Sequence, residues 1–254
     1  MSSEARNLFS RTTATMSTLY MIRHAQASFL QENYDKLSAL GAQQATILGE
    51  YWVARKLKLD RVATGPCERQ KHTAQLVARA YQASNQNFPE LQELEEFDEY
   101  QAEAVLKRAL PELLATDESI AKLQAAFKSS ASNVEQRKHF QKLFESVINK
   151  WVRTEILLKD IESWQEFKAR VNSGLKKFLI QGQRGETVAI FTSGGPIAIA
   201  MQTALNLSDE SALGVSWMSQ NCSWSEFLYG ADRFTLSTFN SRPHLEDPAM
   251  LTYR

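Results

Sequence analysis

Cysteine and histidine are scarce in this chain of 254 residues. There are two cysteines, Cys67 and Cys222, and four histidines, His24, His72, His139 and His244. Two thiols cannot build a disulfide framework and fall short of a structural zinc site, so a reducing cytoplasm is the simplest setting. With no H-x-x-x-H or C-x-x-C spacing, a histidine-based metal site is not expected. Charge of one sign is also lacking: Lys+Arg and Asp+Glu balance at 29 each. That excludes the basic excess of broad nucleic-acid or membrane-surface binding and leaves a local cationic pocket open. No apolar run approaches the roughly 18 residues of a membrane span. At 43% hydrophobic and 23% charged, the composition is that of a globular protein rather than a disordered one. The length suits one large domain carrying an insertion, and no internal repeat or low-complexity tract interrupts it.

Residues 1–16 lack the apolar core of a secretory signal and read as a flexible N-terminal tail. Met16, just before the first apolar run, offers a second translation start beside Met1. From there 17–254 reads as a single domain. Leu19-Tyr20-Met21-Ile22 is a short apolar run that stops at Arg23-His24, as a buried strand does at a polar edge. A helix over about 41–58 follows, with Ala45, Leu48 and Trp52 on one face. Arg61–Thr64 is a second strand closed by Gly65-Pro66, and a helix starting near Cys67 carries Ala74, Val77, Ala78 and Tyr81 at helical spacing. This order implies parallel βαβ units.

Between about 101 and 181 no strand pattern occurs. Phe140, Leu143, Phe144, Val147 and Trp151 form a helical stripe behind a capping box at Ser132 and Glu135, and a second box, Ser163 and Glu166, opens a helix with Phe167, Val171, Leu175 and Phe178. About 107–180 is therefore expected to be a helical insertion beside the sheet. A third buried strand, Thr187–Phe191, runs through Ser193-Gly194-Gly195-Pro196 into an apolar helix ending near Leu205. Residues 223–229 and 233–239 alternate across Gly230-Ala231-Asp232 as a hairpin. The expected fold is α/β: a three-layer sandwich with a mostly parallel central sheet and helices on both faces.

In open α/β sheets, ligands bind beyond the carboxyl ends of the strands. The first such end carries Arg23 and His24, either an anion site with a nucleophile or a surface arginine beside a capped histidine. The second leads to Arg69 in the first turn of a helix, where positive charge opposes the macrodipole unless an anion is near. Cys67, at the same helix start, lacks the C-x5-R spacing and glycine-rich cradle of a cysteine phosphatase nucleophile. The third end, Ser193 through Pro196, allows close backbone approach and directs amides at an anion, or is simply a helix cap.

Taken in order, strand–Arg-His, the Arg69 segment ending in Thr73-Ala74, a Leu-x-Glu stretch and strand–x-x-Gly-Gly–helix resemble the histidine phosphatase superfamily, phosphoglycerate mutases included, over roughly 17–106 and 185–245. Arg23-His24-x-Gln26-Ala27-Ser28-Phe29, continued by Tyr34-Asp35-x-Leu37-Ser38-x-Leu40-Gly41, is similar to a bacterial subgroup of it. The resemblance implies that His24 is the phosphorylated histidine, that Arg23 and Arg69 clamp the phosphate with help from Ser193 and Gly194, and that Glu96 in Leu94-Glu95-Glu96 is the proton donor, with Glu93 and Asp98 as alternatives. Gln26, Ser28 and His244 are further candidates for the pocket, and His72 reads as a residue on an ordinary helix face. The remaining acids between Glu90 and Glu99 read as a solvated rim.

Two departures stand out. Ala25 replaces the usual glycine after the histidine. Ser193 replaces the second histidine before Gly-Gly, and losing a charge-assisted bond costs about 1.5–3 kcal/mol. The resemblance implies metal- and cofactor-free hydrolysis of a small phosphomonoester by a cytoplasmic enzyme with a phosphohistidine intermediate. The rivals are a catalytically weak protein that binds phosphate or phosphopeptides, favoured by Ser193 and Ala25, and a mutase-like phosphotransferase. Substrate and oligomeric state are not written in the sequence.

Overall fold

The computed structural model describes residues 16–28 and 35–253. The tail over 1–15 and the motif residues Phe29 and Tyr34 lie outside them. Six strands form one sheet in the order β3-β2-β4-β1-β5-β6. β1 (Ser17–Arg23), β2 (Arg61–Thr64), β3 (Leu91–Glu93) and β4 (Thr187–Thr192) run parallel, and β5 (Trp224–Gly230) and β6 (Arg233–Ser241) close one side antiparallel. β3 escapes a periodicity reading because it is three residues long and largely exposed. The hairpin expected across Gly230-Ala231-Asp232 is β5–β6.

The central strands β1 and β4 are buried on both faces, so their side chains divide between two cores by the two-residue period of a strand. Leu19, Met21, Val188 and Ile190 point to one face; Ile22, Ala189 and Phe191 point to the other. On the second face pack α1 (Ala39–Ala54) and α2 (Glu68–Ala83), through Ala45, Leu48, Trp52, Ala74, Val77 and Tyr81. The first face is covered by α6 (Trp164–Ile180), α7 (Gly194–Leu205) and α8 (Asp209–Met218), with the C-terminal end of α5 (Asn133–Val152). The result is the expected three-layer α/β sandwich.

The helical segment starts earlier than 107. α3 (Ala102–Thr116) and α4 (Glu118–Lys128) precede α5, and Ala109, Ile120, Leu143 and Val147 give these three helices a small core of their own. Both expected boxes open helices, and Ser163 with Glu166 forms the full reciprocal box; Ser132 accepts from the Glu135 N–H, but the Glu135 carboxylate takes the Ala131 N–H instead of that of Ser132. Among the described residues no helix is long and apolar enough to cross a membrane.

Candidate active site

All three suspect strand ends converge. β1 lies between β4 and β5, so its last residues open at the carboxyl edge of the sheet's middle. The His24 N–H donates to the Thr192 carbonyl of β4 at 2.8 Å, and the Cys222 N–H reaches the carbonyls of both Arg23 and His24 from the β5 side. The next residue is tied to α2: the Ala25 N–H donates to Thr73 Oγ1 at 3.0 Å, and that hydroxyl donates to the Arg69 carbonyl at 2.7 Å. Thr73 is thus a brace between the loop after β1 and α2. Ala25 is not in the left-handed region, so the alanine in the usual glycine position carries no backbone strain.

His24 is 5% exposed. Its Nδ1 lies 2.8 Å from the Ala25 carbonyl and its Nε2 3.2 Å from Arg69 Nε. A carbonyl only accepts and a guanidinium only donates, so the two partners together fix the Nδ1–H tautomer and leave the lone pair on Nε2. Burial, then the positive charges of Arg69 and Arg23, hold the imidazole well below its ordinary pKa. A neutral ring with an Nε2 lone pair has the form of a nucleophile.

Arg69 answers the puzzle of a cation in the first turn of a helix, because a carboxylate stands there. Asp35 Oδ2 accepts from the Glu68 N–H at 2.7 Å, and Oδ1 accepts from Arg69 Nη1 at 2.6 Å. Arg23 directs Nη1 to the Ser219 carbonyl, while Asn221 Nδ2 holds the His24 carbonyl at 3.1 Å. The loop after α8 is therefore part of the site's wall.

At the third strand end, Ser193 is 1% exposed and its hydroxyl accepts from Gln70 Nε2 at 2.7 Å. The same amide reaches the Phe97 carbonyl, and Gln70 Oε1 takes the Cys67 N–H, so Gln70 laces the second and third strand ends together. Neither Gly194 nor Gly195 has positive φ; both are needed for close approach. A Cβ on Gly194 would lie 2.8 Å from the Ser216 carbonyl oxygen, and one on Gly195 would collide with Glu99 Oε1. The group at the N-terminus of α7 is therefore the carboxyl of Glu99, whose Oε2 accepts the Gly195 N–H at 3.0 Å.

The acidic stretch is sorted differently from expectation. Glu96 is paired with Lys177 Nζ at 3.0 Å on α6, and that bond holds its carboxyl below the usual range. A lowered carboxyl is less suited to give up a proton at neutral pH than a raised one. Glu93 is 47% exposed and pairs with Lys71. Asp98 accepts from the Cys67 thiol at 3.0 Å and from the Glu99 N–H. Glu99, taken in the sequence as part of a solvated rim, is the carboxyl that turns inward. Part of its surface still meets solvent, yet burial pushes it above the usual range, against the pull of the Gly195 and Tyr100 N–H groups, Arg69 and Arg23. Glu95–Phe97 forms a short 3₁₀ helix, which carries Glu96 outward and sends Glu99 in. Buried Phe97 and Tyr100 bracket Glu99, and that pair of aromatics three residues apart was the signal available in the sequence.

The helical insertion holds this loop. Tyr100 stacks on Trp151 at 5.4 Å, and Arg170 Nη1 donates to the carbonyls of Glu95, Glu96 and Asp98 at 3.0, 3.1 and 3.3 Å while its other nitrogens grip Glu162. The remaining candidates make contacts within the fold. Gln26 bonds to Ser38 and Gln44, bracing α1. The Ser28 N–H donates to the Lys36 carbonyl. His244 is buried against Trp224, stacked at 5.5 Å, with Tyr51 at 5.9 Å.

The profile of the histidine phosphatase superfamily (branch 1) matches residues 19–158 and 129–242; the chain belongs to that superfamily. Solved structures share its fold at low identity. A phosphoglycerate mutase from Bacillus anthracis aligns at 17% identity over 91% of this chain and 96% of its own, with a TM-score of 0.60. An alpha-ribazole phosphatase from Shigella flexneri aligns at 18% over 89% and 96%, with a TM-score of 0.57. A histidine-to-alanine variant of phosphoserine phosphatase from Entamoeba histolytica, in complex with phosphoserine, aligns at 17% over 91% and 100%, with a TM-score of 0.55. No curated protein matches in a sequence search.

Proposed function

We propose that the protein hydrolyses a small phosphomonoester through a phosphohistidine on His24, with Glu99 as the proton donor. The observation that carries this is the fixed Nδ1–H tautomer of a neutral, buried His24 beside Arg69. In the first step the Nε2 lone pair forms a bond to phosphorus as the bond to the leaving oxygen breaks, and the Glu99 carboxyl gives its proton to that oxygen. Arg69 and Arg23 turn their N–H groups to the phosphoryl oxygens, supplying the charge stabilisation that a metal provides in other phosphatases. In the second step the Glu99 carboxylate takes a proton from water, the water oxygen bonds to phosphorus, the N–P bond breaks and inorganic phosphate leaves. Glu99 thus takes the role expected of Glu96.

Ser193 stands where the resemblance places a second histidine, and we take that as the mark of a subgroup. Its hydroxyl accepts from Gln70 and keeps its own proton to donate. A neutral serine in place of a histidine favours the second reading, a protein that binds phosphate or phosphopeptides with little turnover. The unpaired thiols of Cys67 and Cys222 are in keeping with a reducing compartment, so we place the enzyme in the cytoplasm.

The test is hydrolysis of an aryl phosphate and of phosphoglycerates in the presence of chelator, comparing wild type with His24→Ala. Chelator-resistant hydrolysis lost in the variant is expected. Wild type as inactive as the variant, yet binding phosphate, establishes the binding protein. Transfer between phosphoglycerate positions without net phosphate release establishes the mutase.

A further inference from the structure

We infer that Asp35 is a positioning residue that aims Arg69 at His24 and at the substrate phosphate. This rests on the phosphatase reading above. Arg69 leaves α2 in its first turn, where the helix dipole pushes a cation away. Two features hold it inward. Asp35 Oδ1 binds Nη1 at 2.6 Å, and the second oxygen of the same carboxylate binds the Glu68 N–H at 2.7 Å, so the ion pair is registered to the helix backbone rather than floating. The Arg69 side chain is 11% exposed and that of Asp35 36%, so the pair is screened from solvent on one side only. With Nη1 anchored, Nε falls 3.2 Å from His24 Nε2. A planar guanidinium fixed at one nitrogen and buried at its stem has little freedom left. When phosphate arrives, Nε–H has only to pivot from the imidazole to a phosphoryl oxygen, and Asp35 keeps the rest of the group in place.

The geometry separates this role from simple helix capping. Asn in place of Asp35 keeps an oxygen for the Glu68 N–H and presents no anion to Arg69. Asp35→Asn should lower kcat/KM about tenfold to a hundredfold, mainly through KM, with the thermal midpoint within about 2 °C of wild type. Asp35→Glu, which restores the charge, should recover part of the loss. The His24 ring signals, followed by NMR without substrate, should shift in Asp35→Asn, because Arg69 Nε no longer holds its place 3.2 Å from His24 Nε2. A kcat/KM within twofold of wild type, unmoved His24 ring signals, or equal loss in the Asn and Glu variants with a fallen midpoint overturns the proposal. Inactive wild type sinks the phosphatase reading instead, and the His24 ring signals still decide whether Asp35 aims Arg69.

Discussion

The Glu99 carboxylate accepts the Gly195 N–H at 3.0 Å, at the N-terminus of α7. This contact joins the acidic loop to the third strand end. It also accounts for a glycine whose conformation any residue could adopt: the space its missing side chain leaves is filled by Glu99. Gly195→Ala should displace the carboxylate and cost activity in proportion to losing the acid, while Gly214→Ala, at a position with nothing within reach of a Cβ, should leave activity within twofold.

Glu99 and Glu96 should behave oppositely. Glu99→Gln should lower kcat on an alkyl phosphate about 10²- to 10⁴-fold, the usual contribution of a general acid, and less in the first step for an aryl phosphate, whose leaving group departs without a proton. Glu96→Gln removes a partly exposed ion pair with Lys177 and should change kcat less than twofold. Because Glu99 is raised in the folded protein, its ionisation weakens the fold as pH rises through that value. Glu99→Gln should therefore raise the melting temperature at pH 7, and a fall would show the carboxylate to be a structural anchor.

The pH dependence of stability should show His244. Burial lowers it from 6.5 to about 4, so the folded state resists the proton that the unfolded chain takes up. The stability this gives is complete above about pH 6.5 and is lost as pH falls towards 4, by up to about 3 kcal/mol. His24 adds to the same trend. Replacing His244 by Phe, which keeps the stack on Trp224, should flatten the melting temperature between pH 7 and 5, and an unchanged slope would reject this assignment.

Arg170 should matter without touching substrate. Its three carbonyl bonds fix the turn that carries Glu99. Arg170→Met should lower kcat about tenfold with KM little changed, and Arg170→Lys, which keeps a donor for the carbonyls, should recover part of the loss. An equal loss in both variants with a fallen melting temperature would assign Arg170 to folding alone.

Much of this was legible in the sequence because strands buried on both faces have to end somewhere polar. Leu19–Ile22 and Thr187–Phe191 are continuous apolar runs, so Arg23, His24 and Ser193 stood out at their ends. The caps at Ser132 and Ser163 marked the starts of two helices of the insertion. What stayed hidden was directional. Six acids lie between Glu90 and Glu99, and only the 3₁₀ turn decides which of them faces in. Asp35 was quoted within a motif, but its service to Arg69 needs the fold to bring residues 34 apart together. The surroundings of Ser193 were hidden too. At 1% exposure and against Gln70, histidine there would overpack the site at a cost of about 1–3 kcal/mol.

The central claim is covalent, and Glu99→Gln makes it visible. With an aryl phosphate this variant should still be phosphorylated, because its leaving group needs no proton, and should hydrolyse the intermediate slowly for want of a base. Rapid quenching into alkali followed by peptide mass spectrometry should find one phosphate per chain, on His24, stable in base and lost in acid. Absence of label in Glu99→Gln while wild type turns over, or label that survives in a Glu99→Gln/His24→Ala double variant, would contradict the account.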